Sequence, residues 1–191
     1  MNTRKDHRAK EGKQISLNSS ETRRLEKTNS TEDIEIEVKR GVIRIAGKLS
    51  NRAEELTLAF ACRADVFKFQ YPADLEITIE AITDATYLIE SKDETDFKSR
   101  DAIADWIIQL HIVRCEAKLE RRVMRLFELM MVRLGKRTSK GLILEHTLSH
   151  ARIAEIVGST RSTVSRTISS LRRNEKIYID ELKNQIILPV D

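Results

Sequence analysis

A glycine between two short amphipathic segments constrains the fold of this 191-residue chain more than any other feature. Residues 149–157 begin with a serine, a common helix N-cap, and then place apolar side chains at helical spacing. Gly158 follows, and glycine readily adopts the left-handed backbone that ends a helix and turns the chain. A second helix is predicted over residues 161–174, capped by Ser159 or Thr160. The stretch therefore predicts two helices joined by a tight turn.

The two faces of the second helix differ in their chemistry. Its predicted buried stripe is Val164, Ile168 and Leu171. Its outer face carries arginines and short hydroxyl residues but no acid: Arg161, Ser162, Ser165, Arg166 and Ser169. Because the planar fork of arginine matches the two acceptors on a guanine edge, this face predicts contact with the major groove of double-stranded DNA. The alternative is an ordinary helical hairpin with a solvated basic face.

Residues 156–166, Ile-Val-Gly-Ser-Thr-Arg-Ser-Thr-Val-Ser-Arg, resemble the DNA-binding domain of Crp/Fnr-type transcription regulators. The branch that contains the cyanobacterial global nitrogen regulator is the most similar, and the resemblance runs without a gap from Leu148 to about Ile177. It implies an α+β fold in three parts. These are a small degenerate antiparallel β jelly-roll, a long dimerisation helix and a C-terminal winged helix-turn-helix.

The resemblance also implies individual roles for side chains in this stretch. It implies that Arg161, Ser162 and Arg166 contact base edges. It implies that four other residues lie near DNA phosphates: His150, Thr160, Thr163 and Ser165. The catabolite activator of the family has a glutamate at the position of Ser162, whereas the nitrogen-regulator branch lacks that acid. A half-site of the nitrogen-regulator type is therefore the better prediction.

The charges of the chain are unevenly distributed, although the net charge is only +4. Residues 32–100 contain fifteen acidic side chains against ten lysines and arginines. Residues 117–176 contain fourteen lysines and arginines against five acidic side chains. A basic C-terminal region on a mildly acidic remainder is typical of proteins that bind polyanions.

Apolar residues alternate with polar ones from residue 32 to residue 90, which predicts the strands of an antiparallel sheet or barrel. Residues 1–31 contain no aromatic residue and few aliphatic ones, so a disordered basic tail is predicted there. A basic arm that strengthens DNA contact and an organellar transit peptide are the alternatives for this tail. The sheet is accordingly expected to lack strands before Ile34.

The resemblance to Crp/Fnr-type regulators implies that residues 32–98 correspond to the sensor domain of that family, in a truncated form. Crp-type sensors bind the cyclic phosphate with a Gly-Glu pair and an arginine followed by a small hydroxyl residue. The segment between Asp65 and Leu75 contains neither, so no cyclic nucleotide and no other cofactor is predicted. An Fnr-type iron–sulfur cluster is excluded because the predicted tail contains no cysteine. Cys62 and Cys115 are expected to be reduced core thiols of a cytoplasmic protein.

Residues 99–118 are predicted to form a dimerisation helix, because apolar side chains recur there at alternating steps of three and four. The predicted dimer seam is Ile103, Trp106, Leu110, Val113 and Ala117. A second apolar stripe is expected to face the sheet: Ile107, Ile108 and Ile112. The alternative is a single amphipathic helix that packs on its own domain.

Residues 119–191 complete the predicted winged helix-turn-helix domain. A helix ending before Gly135 carries a basic side that is expected near the DNA backbone: Arg121, Arg122, Arg125 and Arg133. Residues 136–140 are predicted to be a polar loop, and residues 177–188 a hairpin that forms the wing. The corresponding loop of the catabolite activator contacts RNA polymerase, which makes the polymerase a candidate partner although the loop is shorter here.

The sequence thus predicts a homodimeric transcription regulator that binds an inverted repeat in double-stranded DNA. The alternative is a module that uses a winged helix to bind a protein or RNA. No nucleophile–base pair, phosphate loop or metal-ligand spacing indicates an enzyme. No apolar run approaches the ~18 residues of a membrane span.

Overall fold

The computed structural model describes residues 12–26, 32–52, 54–70, 74–93, 102–139 and 141–189. The chain divides into two compact units. The first comprises Met1–Glu55 with Phe60–Ile103, and the second comprises Leu56–Ala59 with Ala104–Asp191. Antiparallel sheets precede helices and a C-terminal helix-turn-helix, which confirms the predicted α+β class.

In the N-terminal half of the chain, the described residues contain eight strands, which form two four-stranded sheets. The strands are β1 (Lys13–Leu17), β2 (Thr22–Arg24), β3 (Glu32–Arg40), β4 (Val42–Leu49), β5 (Glu55–Cys62), β6 (Val66–Gln70), β7 (Leu75–Ala81) and β8 (Ala85–Asp93). One sheet has the order β1-β8-β3-β6 and the other has the order β2-β7-β4-β5. Neighbouring strands run antiparallel, as in the pairs β3–β8 and β4–β7.

Side-chain alternation explains the burial pattern of β3 and β7. Ile34, Ile36 and Val38 of β3 are at most 1% exposed, as are Ile77 and Ile79 of β7. Successive side chains of a strand point to opposite faces, so every second residue enters the core. The period of two in the sequence therefore predicted these strands correctly.

The predicted disordered tail is wrong for residues 12–26, which contain β1 and β2. β1 pairs with β8 along its whole length, from Lys13 opposite Ile89 to Leu17 opposite Ala85. Ile15 in β1 and Leu25 directly after β2 are buried. One buried side chain can therefore hold such a short strand in the sheet when backbone hydrogen bonds to the neighbouring strand supply the other interactions. The opening strands expected to be missing are thus present, whereas residues 1–11 and 27–31 lie outside the described part of the chain.

The C-terminal half contains four helices and one small sheet among its described residues. The elements are α1 (Ala102–Cys115), α2 (Leu119–Leu134), β9 (Lys136–Thr138), β10 (Gly141–Leu144), α3 (His150–Val157), α4 (Arg161–Arg173), β11 (Tyr178–Asp180) and β12 (Gln185–Leu188). The sheet has the order β11-β12-β10-β9, so the predicted wing hairpin is confirmed. The predicted polar loop is wrong at residues 136–138, because their backbone pairs with β10 although their side chains are polar and exposed.

The burial of the two apolar stripes of α1 is the reverse of the predicted one. The expected dimer-seam residues Trp106, Leu110 and Val113 are buried within the single chain. Ala117 lies beyond the end of α1 and is exposed. The stripe that was expected to face the sheet is exposed instead: Ile107, Ile108 and Ile112. A heptad pattern shows that a face is apolar, but it does not specify which of two adjacent apolar faces packs inside the chain.

Two further features of the described residues bear on the sequence predictions. Cys62 and Cys115 are free thiols, and the expectation of a core thiol is wrong for Cys115, which is exposed at the end of α1. Burial raises the pKa of Cys62 to about 11. Within the described residues, no helix is long and apolar enough to cross a membrane.

His146 gives the helix-turn-helix unit an acid sensitivity of defined sign. The side chain is 2% exposed, and its Nε2 has no hydrogen-bond partner among the described residues. Burial lowers its pKa from 6.5 to about 4, because the charged imidazolium is penalised away from water, and nearby Glu145 offsets this only in part. The unfolded chain therefore binds a proton more readily than the folded one, so this contribution to stability is full above pH ~6.5 and is lost as the pH falls toward ~4.

We expect the His146 contribution to the free energy of unfolding to decrease by about 3 kcal/mol between pH ~7.5 and ~4. Trp106 is the only tryptophan of the chain and is buried in the same unit, so its fluorescence can follow urea unfolding. The His146→Phe variant removes the titrating group, and the difference in stability between the two proteins should change by that amount across the pH window. A difference that stays constant with pH contradicts the assignment.

Candidate nucleic-acid interface

Helix α3 and the turn after it are defined by two local signals. The Ser149 hydroxyl accepts a hydrogen bond from the Arg152 amide at 3.2 Å and caps the helix, as predicted. Gly158 ends the helix in the left-handed conformation, with φ of 66°. A Cβ at this position would meet no atom within 4 Å, so glycine is favoured here by its backbone conformation rather than by a lack of space.

Helix α4 begins three residues after this glycine and is capped by Thr160. The Thr160 hydroxyl accepts from the Thr163 amide at 3.2 Å, which decides between the two predicted caps. The predicted buried stripe is confirmed, because Val164, Ile168 and Leu171 are at most 3% exposed. Burial of this stripe fixes which face of α4 points outward.

The outward face of α4 brings several of the predicted contact residues together. Arg161, Ser162, Thr163 and Arg166 are exposed, and Ser165 is half-buried. Arg161 makes no hydrogen bond or ion pair with the described residues. With the part of the chain that the structure describes, Arg166 makes only a long contact of 3.4 Å from its Nε to the Ser162 carbonyl, so both guanidinium groups remain available to a partner.

The hydroxyl groups at the start of α4 form a small cluster. Thr160 Oγ1 lies 2.8 Å from Thr163 Oγ1 and 3.1 Å from Ser162 Oγ. The two lone pairs and the proton of Thr160 Oγ1 are therefore engaged within this cluster, whereas the hydroxyls of Ser162 and Thr163 retain hydrogen-bonding capacity for a ligand. His150, the first residue of α3, lies on the other helix of the pair and is partly exposed. The predicted phosphate residues therefore occupy the N-terminal ends of α3 and α4.

The electrostatics of α4 favour an anionic partner. Residues 161–173 include four arginines and no acidic side chain. The N-terminal end of a helix carries a partial positive charge from its unpaired amides, which adds to that of Arg161. Among the described residues, Arg172, near the C-terminal end, is the one arginine of α4 with an acidic partner, since it lies 3.0 Å from Glu181. The N-terminal half of α4 therefore presents two exposed arginines together with the positive end of the helix dipole.

The predicted basic side of α2 is largely committed to contacts within the protein. Arg133 binds Asp105, and its guanidinium lies 5.5 Å from the ring centre of Trp106. Arg122 donates to backbone carbonyls of Glu116 and Val157. Arg121 and Arg125 are exposed. Arg122 and Arg133 therefore have partners within the protein, and the expectation that this side of α2 lies near the DNA backbone stays a prediction.

Sequence reasoning missed one arginine altogether. Arg114, in the last turn of α1, donates from Nε to the Ile156 carbonyl at 2.7 Å and from Nη2 to the Glu155 carbonyl at 2.6 Å. Its partners are backbone atoms about forty residues away, so no local pattern in the sequence indicates the contact. The contact depends on the placement of the end of α1 beside the end of α3 in the folded chain.

The helix pair and wing define a known class of domain. Residues 101–189 match the family model of the Crp-like helix-turn-helix domain. The chain as a whole has the fold of the CRP/FNR transcription regulators. The resemblance inferred from residues 156–166 is thereby confirmed at the level of this domain and fold.

Three solved structures illustrate the similarity over nearly the whole chain. A CRP-family transcriptional regulator from Thermus thermophilus is 19% identical, with a TM-score of 0.62 and coverage of 92% of both chains. FixK2 from Bradyrhizobium japonicum is 19% identical, with a TM-score of 0.66 and coverage of 93% of this chain and 92% of the other. A CRP/FNR-family regulator from Thermus thermophilus is 19% identical, with a TM-score of 0.65 and coverage of 94% of both chains. No curated protein matches this sequence.

Proposed function

We propose that this protein is a sequence-specific DNA-binding transcription regulator that acts in the cytoplasm and uses α4 as its recognition helix. The observation that carries the proposal is the exposed, acid-free face of α4, with Arg161 and Arg166 uncommitted, inside a Crp-like helix-turn-helix domain. The recognition helix of such a motif enters the major groove with its N-terminal residues against base edges. That end of α4 is where the arginines and hydroxyls are exposed.

Base contacts and phosphate contacts would come from different side chains. Arg161 and Arg166 would donate to guanine acceptors, with Ser162 between them on the same face. The phosphate contacts would come from the partly exposed ends of both helices: His150, Thr160, Thr163 and Ser165. Base contacts specify the sequence, whereas phosphate contacts fix the orientation of the domain. The absence of an acid at position 162 favours a half-site of the nitrogen-regulator type.

The exposed stripe of α1 supports a homodimer. Ile107, Ile108 and Ile112 are 44, 57 and 40% exposed, and β-branched side chains at such spacing suit a helix pair. A two-fold dimer presents two recognition helices, and these enter successive major grooves when they lie about 34 Å apart. The operator would then be an inverted repeat. In this arrangement residues 99–118 contain the dimerisation helix and residues 119–191 the DNA-binding domain.

The sensor-like region, residues 32–98, would act without cyclic nucleotide. Strand β6 occupies Val66–Gln70, and its Phe67 is buried in the core. Neither the Gly-Glu pair nor the arginine and hydroxyl pair that binds a cyclic phosphate occurs between Asp65 and Leu75. RNA polymerase is a further candidate partner, through the exposed strand β9.

Selection of duplexes from a randomised pool tests this proposal. We expect the full-length protein to enrich an inverted repeat whose half-site centres lie about 10 base pairs apart. A parallel selection with single-stranded RNA separates the alternative function. Enrichment of RNA, or of no nucleic acid at all, would count against the DNA-binding proposal and in favour of an interaction module.

A further inference from the structure

The C-terminal end of α3 has an unusual set of hydrogen-bond partners. The last four carbonyls of a helix have no partner within the helix and must be satisfied from elsewhere. In α3 these belong to residues 154–157. The Ala154 carbonyl accepts from the backbone amides of Gly158 and Ser159, which is the ordinary consequence of a left-handed glycine cap.

The other three carbonyls accept from two arginines instead. Arg114 donates hydrogen bonds to the carbonyls of Glu155 and Ile156 from two different nitrogens, at 2.6 and 2.7 Å. Arg122 donates from its Nη1 to the Val157 carbonyl at 3.2 Å. Hydrogen bonds with a charged donor are stronger than neutral ones, and a cation at the C-terminal end of a helix also interacts favourably with its dipole. Every carbonyl of the last turn of α3 is therefore satisfied.

The two arginines come from the elements that flank the turn between α1 and α2. Arg114 is in the last turn of α1, the helix that exposes the isoleucine stripe. Arg122 is in the first turns of α2, and its Nε donates to the Glu116 carbonyl at 2.7 Å in the link between the two helices. The end of α1, the start of α2 and the end of α3 are thus joined through two guanidinium groups.

We propose that Arg114 and Arg122 are positioning residues that fix the direction of the recognition helix relative to α1. Only three residues separate the end of α3 from the start of α4, so a fixed end of α3 fixes the start of α4. In a dimer joined through α1, this direction sets the separation of the two recognition helices. This inference rests on the proposed function, because the separation matters only if both helices enter the same duplex.

The test measures discrimination between spacers rather than affinity alone. The probes are the inverted repeat selected by the wild-type protein and the same half-sites with the spacer lengthened or shortened by a base pair. We expect Arg114→Gln and Arg122→Gln to reduce the preference for the selected spacer by about tenfold each, as a lost charged hydrogen bond implies. The salt dependence of binding should stay as in the wild type, because neither arginine is free to contact phosphate.

Matched variants separate positioning from charge and from folding. Arg121→Gln removes the same charge from the exposed residue beside Arg122 and should keep the spacer preference of the wild type. Arg114→Lys and Arg122→Lys keep the charge but lack the planar fork, so they should restore the preference only in part. Should a glutamine variant fail to fold, as judged by Trp106 fluorescence, the comparison is made on the lysine variants.

Spacer preference that remains complete in the folded variants would overturn the inference, whether affinity is unchanged or lowered equally for every spacer. A wild-type protein that does not distinguish the selected repeat from random duplex would instead remove the proposed function itself. The two failures are therefore distinguishable in the same experiment.

Discussion

The Arg166→Ala variant is expected to bind the selected repeat about 1–3 kcal/mol per half-site more weakly and to lose its preference at one base pair. The guanidinium of Arg166 is exposed on α4 and makes one long contact with the described residues, so its removal leaves the fold intact. Two donors matched to a guanine edge are lost, whereas the phosphate contacts stay. Equilibrium titration of the selected repeat and of its single-base variants measures the effect.

Arg173→Ala is the matched control for this prediction. Arg173 is exposed at the other end of the same helix, so the variant removes the same charge away from the proposed base contacts. The Arg173→Ala variant should bind the selected repeat and random duplex more weakly by a similar factor, and this loss should be smaller than the loss that Arg166→Ala causes for the selected repeat. If Arg166→Ala also lowered both affinities equally, Arg166 would contact phosphate or nothing, and its role in base recognition would be lost.

The Ile108→Asp variant is expected to be monomeric and to lose at least about 100-fold in affinity for the full inverted repeat. Ile108 is the most exposed of the three isoleucines in the exposed stripe of α1, and a carboxylate buried without a partner in a helix interface is strongly unfavourable. Without the dimer, each recognition helix must bind its half-site independently, so the gain from joint binding disappears. Sedimentation equilibrium gives the oligomeric state, and titration gives the affinity.

Leu182→Asp is the control for the dimer prediction. Leu182 is 99% exposed and lies in the turn of the wing hairpin, away from α1 in the sequence and on another element. This variant should sediment as the wild type does. A wild-type protein that is monomeric at micromolar concentration, or an Ile108→Asp variant that is still dimeric, would contradict the role given to the exposed stripe.

Local signals were sufficient to predict the helix pair that carries the candidate site. The serine cap, the left-handed glycine and the buried stripe of α4 depend on residues within a few positions of one another. Backbone preference and helical periodicity decide whether these features form, and both are visible in the sequence. For the same reason, the outward placement of Arg161 and Arg166 followed once Val164, Ile168 and Leu171 were assigned to the core.

The features that the sequence did not reveal share a dependence on distant partners. Strand β1 contains few apolar residues and forms because β8 offers a ladder about seventy residues later. The choice between the two stripes of α1 depends on what packs against Trp106, including Arg133 from α2. The commitment of Arg122 to the Val157 carbonyl depends on the end of α3. Composition and periodicity do not contain this information, because each case is decided by a long-range contact.

The affinity of the wild-type protein for the selected repeat and for random duplex of equal length, titrated over a range of salt, tests the central claim most directly. We expect the selected repeat to bind at least about 1,000-fold more tightly, and we expect both affinities to fall as salt rises because counterions are released from phosphates. Equal affinities for the two duplexes, or no binding to either at low salt, would contradict the claim that α4 is a DNA recognition helix.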